Sequence, residues 1–148
     1  AIAASKVFKE KKIICVTGDG SFGFNAMEID TAVKNKSNIC VIISNNGGWN
    51  IEKHDQRLNY GNRVYATSLP YSDYATLAKS LGAYGVRVED PEKLEQALSE
   101  ALNNTPSVVD VITSSTILSS DATKGLGFVP KYQALDVWDN MEIKFRKK

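Results

Sequence analysis

Two short runs carry residues whose types and spacing could do chemistry. Gly18-Asp19-Gly20-Ser21-Phe22-Gly23 sets a carboxylate between glycines, and Asn45-Asn46-Gly47-Gly48-Trp49-Asn50 sets an amide oxygen ahead of two more glycines. A carboxylate, an amide oxygen and a free backbone carbonyl are hard oxygen donors of the kind Mg²⁺ takes, with phosphate oxygens and water completing its octahedron. Glycines let the backbone approach a diphosphate closely. The Ser21 hydroxyl and the amides at a following helix N-terminus are natural phosphate donors. The residues alone therefore point to a Mg²⁺–diphosphate site built around Asp19 and Asn46.

Each run has a plainer reading. Gly-Asp-Gly and Asn-Asn-Gly-Gly are both ordinary turn sequences. At average residue frequencies, however, the two together at this spacing arise by chance on the order of a few times in ten thousand chains. Both also follow directly on strand-like runs, which chance does not require.

Those runs belong to an alternating series. Ile13-Ile14-Cys15-Val16-Thr17 is a β-rich segment that ends in the first glycine turn. Residues 25–36 follow with helical spacing, Ala26, Ile29, Ala32 and Val33 sharing a stripe. Ile39-Cys40-Val41-Ile42-Ile43-Ser44 is apolar nearly throughout, as expected of a parallel strand covered on both faces. Residues 72–81 read as a helix stopped by Gly82, and residues 84–88 as a weaker strand. Asp90-Pro91-Glu92 opens a further helix, with Asp as N-cap and Pro at the first helical position. Ser107-Val108-Val109-Asp110-Val111-Ile112 is the last strand. The expected fold is α/β: a parallel sheet flanked by helices on both faces, over residues 1–112, with a trailing arm over 113–148. In such sheets ligands bind in the loops after strand C-termini, where both glycine runs fall.

Composition narrows the class. The chain has 148 residues, 43% hydrophobic and 24% charged, with a formal charge of +1. That balance gives no electrostatic case for a nucleic-acid or membrane partner, and no apolar run approaches the ~20 residues of a membrane span. The basic run Lys144-Phe145-Arg146-Lys147-Lys148 reads as a solvated tail. Cys15 and Cys40, each inside a strand-like apolar run, read as buried free thiols of a cytoplasmic protein rather than a disulfide or metal pair. Ala1-Ile2-Ala3-Ala4 reads as a helix already under way, so further chain is expected upstream.

Gly18-Asp19-Gly20-Ser21 followed by Asn45-Asn46 resembles the signature of thiamine-diphosphate-dependent enzymes. The stretch from Gly18 to Glu28, with Trp49-Asn50, resembles in particular the acetolactate synthase group, which includes benzaldehyde lyase and the 2-hydroxyacyl-CoA lyases. Ser119-Ser120-Asp121-Ala122-Thr123 and Tyr132-Gln133-Ala134-Leu135-Asp136-Val137-Trp138-Asp139 resemble the C-terminal arm of such lyases.

The resemblance implies that Asp19 and Asn46 bind Mg²⁺ through side-chain oxygens and that Gly48 adds its backbone carbonyl. It also implies that Gly20 and Ser21 contact the diphosphate of thiamine diphosphate, with Gly18 among the cofactor-binding residues. Trp49 would lie against the same cofactor; its alternative reading is a half-buried packing residue. The implied chemistry is the making or breaking of carbon–carbon bonds beside a carbonyl of 2-keto or 2-hydroxyacyl substrates, supplied by the cofactor.

The resemblance also places essential parts elsewhere. The glutamate that activates the cofactor belongs to a separate pyrimidine-binding domain, usually on a partner subunit, so a homo-oligomer (dimer or tetramer) is implied. No catalytic acid or base is assigned to this chain. Glu28 is expected to face solvent or a subunit neighbour, and His54 to be an exposed loop histidine, incidental or else lining the substrate entrance. The long segment from Lys53 to Leu69 and the arm after Thr113, jointed at Gly125-Leu126-Gly127, are the expected places for specificity, the arm packing either on the active site or equally on a neighbouring subunit. FAD, carried by some members in a middle domain, is left undetermined.

Three functions stay open. One is a carboligase of the acetolactate synthase type. The second is a 2-hydroxyacyl-CoA or acyloin lyase. The third is a binding module without turnover of its own. The loop Asn46-Gly47-Gly48-Trp49-Asn50 departs from the acidic or glutamine-bearing loop common in biosynthetic acetolactate synthases, which weighs against amino-acid biosynthesis.

Overall fold

A computed structural model describes residues 1–118 together with residues 140, 141, 143 and 144. The chain forms two compact units, Ala1–Gly47 with Pro70–Ser114, and Gly48–Leu69 with the segment from Ser115. The resembled arm segments at 119–123 and 132–139, and the joint at 125–127, lie outside the described residues.

The first unit is a parallel α/β layer. Its strands are β1 (Ile13–Gly18), β2 (Ile39–Asn45), β3 (Tyr84–Val88) and β4 (Ser107–Ile112). They run in the order β1-β2-β4-β3, and every pairing is parallel. Its helices are α1 (Ile2–Val7), α2 (Asp19–Gly23), α3 (Glu28–Lys34), α5 (Tyr74–Ser80) and α6 (Leu94–Asn103); α4 (Asn50–Asn59) belongs to the second unit.

The side-chain period of two divides the central strands between two cores. Ile39, Val41, Ile43 and Val108 meet Phe22, Ile29, Ala32 and Ala78 on one face. Cys40 and Val109 meet Ala97 and Ala101 of α6 on the other. Each fully buried Ile or Val contributes about 1.5–3 kcal/mol relative to exposure, so the pair β2–β4 anchors the unit. The expected helix stripe Ala26, Ile29, Ala32 and Val33 faces the first core.

Several expected boundaries move. The helix expected over 25–36 is shorter, α3 covering only Glu28–Lys34, and a separate short helix that was not expected, α2, begins at Asp19 itself, directly after β1. Asp90 caps its helix as expected, accepting from the Glu92 amide at 3.0 Å, but the first turn is a 3₁₀ turn over Pro91–Lys93. Strand β1 is covered on one face only. Ile13 and Cys15 pack on the first core, while Ile14 and Val16 are exposed. Among the described residues no helix is long and apolar enough to cross a membrane.

Candidate functional site

The register of the sheet sets the two glycine runs side by side. Gly18, the last residue of β1, pairs with Ser44 of β2, one residue short of that strand's end. Neighbouring strands stand ~5 Å apart, so Asp19 and Asn46 leave the same edge of the sheet from adjacent strands. Asp19 is 1% exposed, a carboxylate withdrawn almost wholly from water at the start of α2. Asn46 is half-buried, and its Oδ1 is enclosed with no hydrogen-bond partner among the described residues. A buried amide oxygen without a donor is costly, and it suits a bound cation.

Gly18 carries empty space where a side chain would stand, with nothing within 4 Å of an added Cβ. Gly20 is buried, and Ser21 is exposed in the first turn of α2. Helix amides of a first turn have no acceptor within the helix. Gly47 turns the chain with a φ of +65°, a conformation that favours glycine.

Behind these loops lies a buried polar cluster that sequence reasoning did not single out. Asp110, in β4, is 0% exposed. It accepts from Asn45 Nδ2 at 2.9 Å, from the Tyr74 amide at 3.2 Å and from Arg87 Nη1 at 3.2 Å. Burial pushes the Asp110 carboxyl above the ordinary Asp range, against the opposing pull of Asn45, the Tyr74 amide and Arg87. Asn45 Nδ2 also donates to the Ser72 carbonyl at 3.0 Å. The Tyr74 hydroxyl donates to the Asp19 carbonyl at 3.4 Å, and its ring packs edge-on against Phe22 at 5.1 Å. Burial, with the charges of Asp19 and Asp110, pushes the Tyr74 phenol up. The available signal was an acid inside an otherwise apolar central strand, Val108-Val109-Asp110-Val111.

The second unit holds Gly48 and Trp49. Gly48 bridges antiparallel to Ser68. A Cβ at Gly48 would lie 2.8 Å from the Thr67 carbonyl, so only glycine fits. Trp49 is half-buried and donates its amide to Thr67 at 2.9 Å.

The histidine expectation is corrected. His54 is neither exposed nor in a loop: it lies in α4, 9% exposed, with Nε2 unpartnered among the described residues. Lys53 beside it is also buried. The apolar residues of α4, Ile51 and Leu58, are themselves exposed, so this helix carries no buried apolar stripe to announce it. An open cavity of about 760 Å³ is lined by Glu52, Asp55, Gln56, Tyr60, Arg63, Val64 and Tyr65 of the same unit. Glu28, as expected, is exposed.

The fold and the two loops define a class, and comparison with known proteins supplies the family. Residues 1–111 match the family described as thiamine pyrophosphate enzyme, C-terminal TPP binding domain. The chain belongs to this thiamine-diphosphate-binding family. It is 36% identical over 118 residues to an acetolactate synthase large subunit of Mycobacterium tuberculosis, covering 79% of this chain and 22% of that protein. It is 36% identical over 140 residues to an acetolactate synthase of Bacillus subtilis, covering 91% and 24%. A human 2-hydroxyacyl-CoA lyase 1 is 32% identical over 126 residues, covering 76% and 22%. The chain thus spans less than a quarter of the length of these relatives.

Proposed function

We propose that this chain is the Mg²⁺- and diphosphate-holding portion of a thiamine-diphosphate-dependent enzyme of the acetolactate synthase group. The observation that carries the reading is the pairing of a buried Asp19 carboxylate with an enclosed Asn46 Oδ1, unpartnered among the described residues, at the ends of adjacent parallel strands. One carboxylate and one amide oxygen fit a cation that keeps phosphate and water ligands. The Gly48 carbonyl, two residues along the chain, joins the set by resemblance. Gly18, Gly20 and Ser21 stand for the diphosphate, and Trp49 for the cofactor's flank.

When bound, thiamine diphosphate supplies the electron sink for making or breaking a carbon–carbon bond beside a carbonyl. The residues of this chain bind and orient. Asp19 offers charge to the cation, Asn46 a neutral oxygen, and the open backbone at Gly18 room for phosphate. The group that moves protons, in this reading, is a glutamate on a pyrimidine-binding domain of a homo-oligomer. The substrate is a small 2-keto or 2-hydroxyacyl compound. Names of relatives on both sides support acetolactate synthase and 2-hydroxyacyl-CoA lyase chemistry alike. A cytoplasmic setting fits the two free cysteines.

The test is calorimetric titration of thiamine diphosphate into the protein with Mg²⁺ and again with EDTA. Metal-dependent binding that disappears in Asp19→Ala and Asn46→Ala supports the site. Equal binding in EDTA, or in both variants, sinks it.

A further inference from the structure

Asp110 is an expensive residue where it stands. It lies within β4 between two neighbouring strands, opposite Ile43 on one side and Arg87 on the other, and none of its surface reaches water. An apolar side chain of similar size would fill that place without desolvating a carboxyl, and buried ionic groups are often replaceable in this way with no loss of stability. What Asp110 supplies, and an apolar residue would not, is three fixed hydrogen bonds to three elements: the end of β2, the start of α5 and β3.

Two of those bonds lead to the candidate ligands. Asn45 directly precedes Asn46. Its Nδ2 is fully used, one hydrogen on Asp110 and the other on the Ser72 carbonyl, which also accepts from Arg87 Nη1 at 3.2 Å. Asn45 is itself 0% exposed, so the chain entering Asn46 is held at a fully buried residue. On the other side, the Tyr74 amide rests on Asp110, while the same residue's hydroxyl reaches the Asp19 carbonyl and its ring abuts Phe22. One carboxylate is thereby within two residues of contact with both loops.

We propose that Asp110 is a positioning residue that holds the Asn45–Asn46 turn and, through Tyr74, the Asp19 turn in place for the cation before it binds. This rests on the metal–diphosphate reading above and extends it to a residue in a strand that carries neither loop. Its role is that of an outer partner that orients ligands, and loss of such partners typically weakens metal binding about 10–100-fold.

Asp110→Asn is the discriminating variant. It keeps the shape but offers only one acceptor oxygen. If that oxygen faces Asn45, the new amide group opposes the Tyr74 N–H and Arg87, donor against donor. If it is turned over, the Asn45 Nδ2 bond is lost instead.

The experiment titrates Mg²⁺ into the protein at saturating thiamine diphosphate, well below the melting temperature, with melting followed in parallel. The expected result is a folded Asp110→Asn protein whose Mg²⁺ dissociation constant rises about 10–100-fold, with full binding recovered at raised Mg²⁺. A purely structural role would lower the melting temperature and leave the Mg²⁺ constant of the folded protein unchanged, and that outcome overturns the proposal. If Asp110→Asn does not fold, Tyr74→Phe decides: it keeps the ring and removes the hydroxyl with its contacts to the Asp19 carbonyl and the Ser72 side chain, and a wild-type Mg²⁺ constant overturns the proposal there too. Failure of the wild-type protein to bind would instead remove the underlying site, and the proposal with it.

Discussion

The ring of Tyr71 closes over Gly47, with Cε2 only 2.8 Å from where a Cβ on that glycine would stand. Gly47 also holds a φ of +65°. Gly47→Ala therefore meets two separate penalties, a left-handed backbone worth roughly 1–2 kcal/mol and an overlap with the ring. Urea unfolding should show the variant less stable by at least about 1 kcal/mol. Tyr71→Ala in the same chain should return part of that loss, because it removes the overlap and leaves the backbone cost. No recovery would mean that the ring is not what excludes a side chain at Gly47.

Asp73 caps α5, accepting from the Thr76 amide at 2.8 Å and from the Thr76 hydroxyl at 2.7 Å. The backbone bond, followed by the hydroxyl, holds its carboxyl below the ordinary Asp range. A depressed folded-state value means the stabilisation is fully present above the unfolded value near ~4 and is lost as pH falls through the folded one. Asp73→Ala should cost about 1 kcal/mol at neutral pH. The gap between variant and wild type should close under acid conditions. Unfolding curves at pH 7 and below pH 4 check this, and a gap that stays constant would rule out the ionised cap.

Gly85 lies in β3 directly beneath α5, where an added Cβ would run into the Ala75 backbone carbonyl. Backbone cannot swing aside as a side-chain tip can, so Gly85→Ala must lift α5 or bend β3. Overpacking of this kind costs about 1–3 kcal/mol. The denaturant midpoint should fall accordingly, with the slope unchanged if unfolding still exposes the same surface. A variant as stable as wild type would show that α5 does not seat on β3 at that distance.

What was legible in the sequence depended on how each element is buried. The apolar run of β2 and the stripe of Ile29, Ala32 and Val33 announced themselves because their buried residues are apolar. Asp19 and Asn46 were legible as candidates because glycine turns followed predicted strands. Helix α4 was hidden for the opposite reason: its buried members are Lys53 and His54, so periodicity pointed nowhere. The Asp110 cluster was hidden because its partners Asn45, Tyr74 and Arg87 come together only through the strand order β1-β2-β4-β3. No spacing along the chain encodes that.

The two cysteines give a last check on the central strands. Cys40 is 1% exposed within the second core, whereas Cys15 on the edge strand is half-buried. Burial pushes the Cys40 thiol up, and a hydrogen bond with Ser107 offsets this only in part. The thiolate is the reacting form, so Cys40 is both shielded and short of it. Iodoacetamide at mildly alkaline pH, followed by mass spectrometry, should modify Cys15 first and Cys40 only as fast as the β2–β4 core opens. Because β2 ends at Asn45, beside the proposed metal ligand, thiamine diphosphate with Mg²⁺ should slow Cys40 further by stabilising the closed state. Cys40 reacting as fast as Cys15 in the folded protein would contradict its burial between the sheet and α6. Slow Cys40 labelling that the ligands leave unchanged would uphold that burial but separate the core from the site.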